Sequence, residues 1–191
     1  MKTLKKNKKG KLYIISGPSG AGKTTIYKRI FQKYPNILFS ISYTTRKPRS
    51  NEKNAKDYFF VSKAEFLKGI ENKRWAEWAQ VHENYYGTCN KFLKKALLEG
   101  KNVLCDIDVV GANQLLQKYQ DAITIFIMPP SISELKKRLE KRGEEDKEKI
   151  EIRVKNALKE IEKKDQYKHI IINDDIDKAA NELFYLIEKS E

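Results

Sequence analysis

The run "LYIISGPSGAGKTT", Leu12 to Thr25, constrains the fold more than any other part of the chain. Four apolar residues read as a short buried strand. A loop of small residues follows, and then Ile26, Ile30 and Phe31 recur at helical spacing until Pro35. Gly17, Gly22, Lys23 and Thr24 fit the pattern G-x-x-x-x-G-K-[ST], with a strand before it and a helix after it. Glycines let successive N–H groups converge where side chains would crowd them, and the helix terminus adds partial positive charge. Lys23 supplies a full charge to the outer phosphates of a nucleoside triphosphate, and the Thr24 hydroxyl can ligate Mg²⁺. The alternative is a glycine-rich turn with no ligand. The complete motif in its strand–helix context favours the phosphate reading.

The rest of the chain follows a related rhythm. "ILFSISY" reads as one strand, and "TTRKPRSNEKNAKDYFFV" as a polar, basic, turn-rich segment. Lys63–Glu71 reads as a helix. "RWAEWAQVHENYYG" reads as a β-rich insertion in which Trp75, Glu77, Ala79 and Val81 share one parity. Asn90–Glu99 and Val109–Tyr119 read as helices around the strand "NVLCDID". "AITIFIM" reads as another strand, and Ser131 caps a helix to Lys141 with Glu134 completing a capping box. Lys147–Lys164 reads as a long helix on Ile150, Val154, Ala157, Leu158 and Ile161. "HIIIN" is a strand, and a last helix spans Ile176–Lys189. Continuous apolar strands between helices predict an α/β fold with a three-layer core and a central parallel sheet. The insertion predicts a separate small sheet.

Chemistry concentrates at three further places. Asp106 and Asp108 end a strand, at the edge where ligands of open α/β sheets gather. Asp106 suits Mg²⁺ held through water. Asp108 divides evenly between a helix cap and a ligand contact. Arg46 and Arg49, with Tyr58, Tyr85 and Tyr86 beyond them, could grip a second phosphate or simply form a basic surface loop. Arg138, Arg142 and Arg153 lie in a charged helical hairpin with little core of its own, which could close as a lid.

Composition excludes some classes. The 39 Lys and Arg exceed the 26 Asp and Glu by 13 charges, yet six lysines crowd the first eleven residues and no nucleic-acid module appears. The charge therefore reads as a surface coat and weighs against a nucleic-acid partner. No apolar run is long enough for a membrane helix and no secretory signal is visible, so the cytoplasm is expected. Two cysteines, Cys89 and Cys105, make neither a disulfide framework nor a metal site. Cys89 reads as a bystander to Thr88.

"GPSGAGKTT", "SISYTTRKPR", "KDYFFV", "EWAQVHENYYGT", "CDIDVVG", "PPSISELKKRLEKRG" and "IINDD" occur in an order that resembles the guanylate kinases, from about Lys11 to Ile187. The resemblance implies a basic tail at 1–11 and a P-loop core at 12–41, 91–135 and 167–191. It also implies a GMP-binding lobe at 42–90 and a lid at 136–166. The implied reaction is ATP + GMP giving ADP + GDP with Mg²⁺, with dGMP a further acceptor. The implied ATP contacts are Gly17, Pro18, Ser19, Gly20, Ala21, Gly22, Lys23, Thr24, Thr25 and, near the adenine, Asn173. GMP phosphate would meet Arg46, Arg49, Tyr58 and Tyr86, and guanine would meet Ser42, Glu77, Thr88 and Asp108. Lys23, Arg46, Arg138, Arg142 and Arg153 would spread the charge of the transferring phosphoryl group.

Two departures stand out: Asn51 and Ala55 replace glycines usual in the family, so the turn at Ala55 is expected to differ in shape. A kinase of the same fold for another monophosphate, a peptide-binding scaffold domain and a nucleic-acid binder suggested by charge alone are the rival readings. The intact Gly22–Lys23–Thr24 opposes the scaffold, and Glu77 favours guanine over other bases. Monomer and small homo-oligomer both stay open.

Overall fold

A computed structural model describes residues 9–81, 83–141 and 147–190. The chain divides into two compact units, one formed by Met1–Tyr13 with Asn36–Ala122 and the other by Ile14–Pro35 with Ile123–Glu191. The first strand, β1 (Leu12–Ser16), carries the chain out of the first unit into the second. All five of its residues are buried, as a strand covered on both faces requires. It belongs to a five-stranded sheet whose order is Leu38–Phe39, Val103–Asp106, β1, Ile123–Met128 and His169–Ile172.

The second unit starts with the loop and α1 (Lys23–Lys33), which buries Ile26 and Ile30 and ends just before Pro35. Its strands β8 (Ile123–Met128) and β9 (His169–Ile172) pair in parallel, Ile125 opposite His169 through Met128 opposite Ile172. The last helix, α7 (Ile176–Ser190), buries Ala179, Ala180, Leu183 and Ile187. It is tied to α1 by Arg29–Asp177 and Lys33–Glu188 pairs at the surface. Between the strands lie α5 (Ile132–Glu140), α6 (Lys147–Ile161) and a 3₁₀ turn at Lys164–Gln166. Ser131 caps α5 by accepting from the Glu134 N–H, while the Glu134 carboxylate pairs instead with Arg138.

The hairpin has more core than its charge suggests. Leu135, Leu139, Ile150 and Ala157 are buried together, with Val154 packed against them. Leu158, expected on that face, is 44% exposed. The helix also stops at Ile161 rather than Lys164.

The first unit contains β2 (Leu38–Phe39), β3 (Tyr43–Thr44), β4 (Phe59–Phe60), α2 (Lys63–Glu71), β5 (Trp75–Val81), β6 (Asn84–Cys89), α3 (Asn90–Leu98), β7 (Val103–Asp106) and α4 (Val109–Lys118). "ILFSISY" is therefore not one strand. Its first half pairs in parallel with β7, Leu38 opposite Val103. Its second half enters a separate four-stranded sheet of order β4-β3-β6-β5. A continuous apolar run cannot show this break, because both halves are β. The partner β4 lies in the segment read as turn, and its two residues pair with Tyr43 and Thr44.

The pairing of β5 with β6 shifts between Trp75 and Glu77. This bulge removes Trp75 from the alternation that seemed to unite it with Glu77. Trp75 stacks on Phe66 at 4.5 Å, whereas Glu77 lies opposite Thr88. Phe66 thus stacks on both Trp75 and Tyr85 against the four-stranded sheet, and Glu77 and Thr88 face each other across β5 and β6.

Candidate active site

The glycine-rich loop in the second unit is built to keep its centre clear. Gly17, Gly20 and Gly22 have φ of 143°, 91° and 89°. These are values that L side chains rarely adopt. A Cβ at Gly17 would strike the Ile127 carbonyl oxygen of β8, and one at Gly20 would lie 2.9 Å from Leu135. The loop therefore sits directly on the strand behind it and on the apolar face of α5.

Gly22 is the N-cap of α1 with no side-chain cap, so the first turn presents backbone N–H groups outward. The Lys23 ammonium donates to the Gly17 carbonyl at 2.6 Å, bridging the two ends of the loop. Thr24 is exposed in that first turn and accepts from the Tyr27 hydroxyl at 3.1 Å. Asn173, 4% exposed, donates through Nδ2 to the Ala21 carbonyl at 2.7 Å. Arg138 donates to the Asn173 carbonyl at 3.1 Å and through Nε to Glu134 at 3.1 Å. A cavity of about 430 Å³ is lined by Gly22, Thr25, Arg138, Asn173, Asp174 and Asp175. Four predicted contacts thus share one cavity: Gly22, Thr25, Arg138 and Asn173. Of the remaining loop residues, Pro18 and Ala21 are buried and Ser19 is exposed. Arg153 is half-buried on α6, and Arg142 lies outside the described residues.

The first unit holds two further groups. In one, the Arg46 guanidinium stands 5.4 Å from the Tyr58 ring, and Tyr58 lies edge-on to Tyr86 at 6.0 Å. Arg46 donates to Glu52 at 2.7 Å and to the Lys47 carbonyl at 2.8 Å. The other Glu52 oxygen accepts the Arg49 backbone N–H at 2.9 Å, while the Arg49 side chain is exposed. Burial raises the Glu52 carboxyl, but hydrogen bonds from Arg46 and the Arg49 N–H outweigh it and leave it below its ordinary value. Burial, then the charge of Asp106 at the end of β7, pushes Tyr58 up to about 12. Tyr58 is therefore a neutral donor at physiological pH. Glu52 is the functional residue that sequence reading missed. Its signal is an acidic residue standing alone in the run "TTRKPRSNEK".

In the second group, Glu77 is 4% exposed and Thr88 fully buried. The Thr88 hydroxyl donates to Glu77 at 2.6 Å. Burial pushes the Glu77 carboxyl up to about 7, with Asp108 raising it further and Thr88 and Lys118 opposing. Asp108 caps α4 by accepting the Gly111 N–H at 2.7 Å, which is the helix-cap half of its two readings. Ser42 is 8% exposed, and its carbonyl accepts the Phe59 N–H.

Cys89 is half-buried, and burial pushes Cys105 up to about 12, which makes it a poor nucleophile. Ala55 takes φ of 60°. This is a left-handed conformation that alanine rarely adopts.

A strand–loop–helix cradle in a parallel sheet, with an inserted β lobe carrying an arginine and a buried carboxylate, defines a P-loop nucleotide-binding fold. The guanylate kinase family profile matches residues 9–190. The chain is 48% identical to a guanylate kinase of Malacoplasma penetrans over 95% of this chain and 94% of that one. It is 44% identical to a guanylate kinase of Caldanaerobacter subterraneus subsp. tengcongensis, covering 94% and 87%. The crystal structure of guanylate kinase from Anaplasma phagocytophilum superposes with a TM-score of 0.80 at 32% identity, covering 96% of this chain and 87% of that one. The chain belongs to the guanylate kinase family.

Proposed function

We propose that this chain transfers the γ-phosphoryl group of ATP to GMP, and also to dGMP, in a Mg²⁺-dependent reaction giving ADP and GDP or dGDP. The observation that carries the choice of guanine is the buried Glu77 carboxylate braced by Thr88. A carboxylate accepts both the N1–H and the exocyclic N2–H₂ of guanine. Adenine offers neither donor there and would leave the buried carboxyl without its partners, a penalty that can discriminate by about 10⁴-fold. Ser42 supplies a hydroxyl for O6, Thr88 acts on the base through Glu77, to which it gives its one hydroxyl proton, and Asp108 adds a contact beyond its capping role. Arg46, Arg49, Tyr58 and Tyr86 take the phosphate of GMP.

On the donor side, Gly17 through Thr25 cradle the triphosphate and Asn173 lies toward the adenine. Thr24 and Asp106, the latter through water, are the residues that would hold Mg²⁺. The donor set suits that ion. Among the described residues no group of three or more His, Cys, Asp or Glu forms a metal cage. Magnesium typically takes one or two protein oxygens and fills its shell with phosphate and water. When bound it neutralises charge on the phosphate oxygens.

The chain's residues then need no strong base. A phosphate monoester has a second pKa of about 6, so the attacking GMP oxygen is already largely ionised at neutral pH. That oxygen bonds to the γ-phosphorus as the bond to the β-bridging oxygen breaks, and ADP leaves with the electron pair. Lys23, Arg46, Arg138, Arg142 and Arg153 spread the charge of this loose transition state. Closure of the 136–166 hairpin excludes water, which would otherwise take the phosphoryl group.

The test is phosphoryl acceptance from ATP across GMP, dGMP, AMP, UMP and CMP with magnesium present. GMP should lead and dGMP follow. Equal use of AMP, or no turnover with GMP, refutes the reading.

A further inference from the structure

Gly111 has no backbone reason to be glycine. It is the third residue of α4, and its φ is not among the positive values of the chain. Glycine is the poorest helix former after proline, and alanine is the best. The reason lies in what stands opposite. A Cβ on Gly111 would overlap the Glu77 Oε2, lie 3.0 Å from the Glu77 Cδ and stand 3.4 Å from Asp108 Oδ1. Gly111 is buried, so a methyl group there could not turn toward solvent.

Nor can the strand carrying Glu77 back away. Helix α4 holds it on both sides of that residue. Gln114 accepts the Trp78 N–H at 3.1 Å and donates to the Trp78 carbonyl at 2.7 Å. Lys118 donates to the Ala76 carbonyl. On the far side, Thr88 fixes the other carboxylate oxygen at 2.6 Å. One oxygen is thus set by a hydroxyl and the other by the space above a glycine, with the backbone pinned between them.

We propose that Gly111 is a specificity-determining positioning residue: the space left by its missing side chain sets the plane of the Glu77 carboxylate, and so keeps both oxygens available to one purine edge. This rests on the guanine reading of Glu77 given above. A methyl group at 111 displaces Oε2 while Thr88 retains Oε1. A base that needs both oxygens loses a contact, and a base that needs one does not. GMP presents N1–H and a 2-amino group. Inosine monophosphate presents N1–H alone.

The experiment is steady-state kinetics of wild type, Gly111→Ala, Glu77→Asp and the double variant E77D/G111A, with ATP and with GMP or inosine monophosphate as acceptor. For Gly111→Ala we expect the KM for GMP to rise about 10- to 100-fold, as for one lost hydrogen bond to a charged group, with kcat within about 3-fold. The kcat/KM ratio of GMP to inosine monophosphate should fall about 10-fold or more. Aspartate is one methylene shorter and withdraws its oxygens from the new methyl group. E77D/G111A should therefore use GMP better than the product of the two single losses allows.

An unchanged GMP-to-inosine ratio in Gly111→Ala overturns the proposal, and so does strict additivity in the double variant. If Gly111→Ala does not fold, the double variant decides: folded with a GMP preference supports the spatial argument, and unfolded overturns it. Wild type in the same assay separates the two readings. No preference for GMP over AMP there defeats the guanine assignment itself. A preference there, with Gly111→Ala unaltered, defeats only the role of Gly111.

Discussion

Replacing Glu77 by glutamine should make the protein more stable and nearly inactive, with the stability gain present only above a defined pH. Burial pushes the Glu77 carboxyl from 4.5 to about 7 in the folded chain, with Asp108 adding to the rise. Below about pH 4.5 the carboxyl is protonated whether the chain is folded or not, and it costs nothing. As pH rises toward 7 the unfolded chain releases its proton while the folded chain retains it, so folding loses stability. Above 7 the loss is constant. A shift of about 2.5 units at 1.36 kcal/mol each gives roughly 3 kcal/mol. Glutamine keeps the shape and an oxygen for the Thr88 hydroxyl, but does not titrate.

Urea denaturation of both proteins from pH 4.5 to 8.5 should therefore give curves that diverge by up to about 3 kcal/mol across this range. At pH 8 the Tm should differ by roughly 6–12 °C for a chain of this size. In the same variant the carboxamide turns its NH₂ toward the guanine donors, and kcat/KM for GMP should fall by about 10³- to 10⁴-fold. Wild-type binding of guanosine, which lacks the titrating phosphate, should weaken as pH falls below about 7. Parallel denaturation curves would refute the reasoning, because they would show that Glu77 is not held protonated by its surroundings.

Two other perturbations follow from the first unit. Glu52→Ala should raise the KM for GMP by about 10-fold and leave the KM for ATP unchanged in initial-rate assays, because Arg46 loses the carboxylate that aims it. Ala55→Gly should stabilise the chain by about 0.5–1 kcal/mol in chemical denaturation, because it relieves a left-handed alanine with φ of 60°.

What could be read from the amino acids divides by how local the signal is. The P-loop was legible because strand, glycines, lysine and helix lie within one run, and its positive-φ glycines are where the pattern puts them. The helix at Lys63–Glu71 was legible in its bounds, and the structure adds its cap, Ser62, which accepts the Glu65 N–H. The break inside "ILFSISY" was not, because distant pairing partners, Val103 for Leu38 and Gly87 for Tyr43, decide which sheet each half joins. The bulge at Ala76 has no residue signature, and it reversed the assignment of Trp75. Glu52 and Gly111 were missed for a related reason: each matters through a neighbour, Arg46 or Glu77, rather than through a motif of its own.

Two of the cations expected to receive phosphate are parked differently. The Lys23 ammonium rests on a neutral carbonyl, Gly17, whereas the Arg46 guanidinium rests on a carboxylate, Glu52. A triphosphate arriving at the loop would take the place of that carbonyl on the ammonium. A phosphate arriving at Arg46 would meet a guanidinium already aimed by Glu52, with part of its charge offset, so stray sulfate or orthophosphate would gain less there than a ligand also held at a second point. On the proposed reading, the acceptor end would thereby be guarded against small inorganic anions, and a ligand that also satisfies the base pocket would outcompete them.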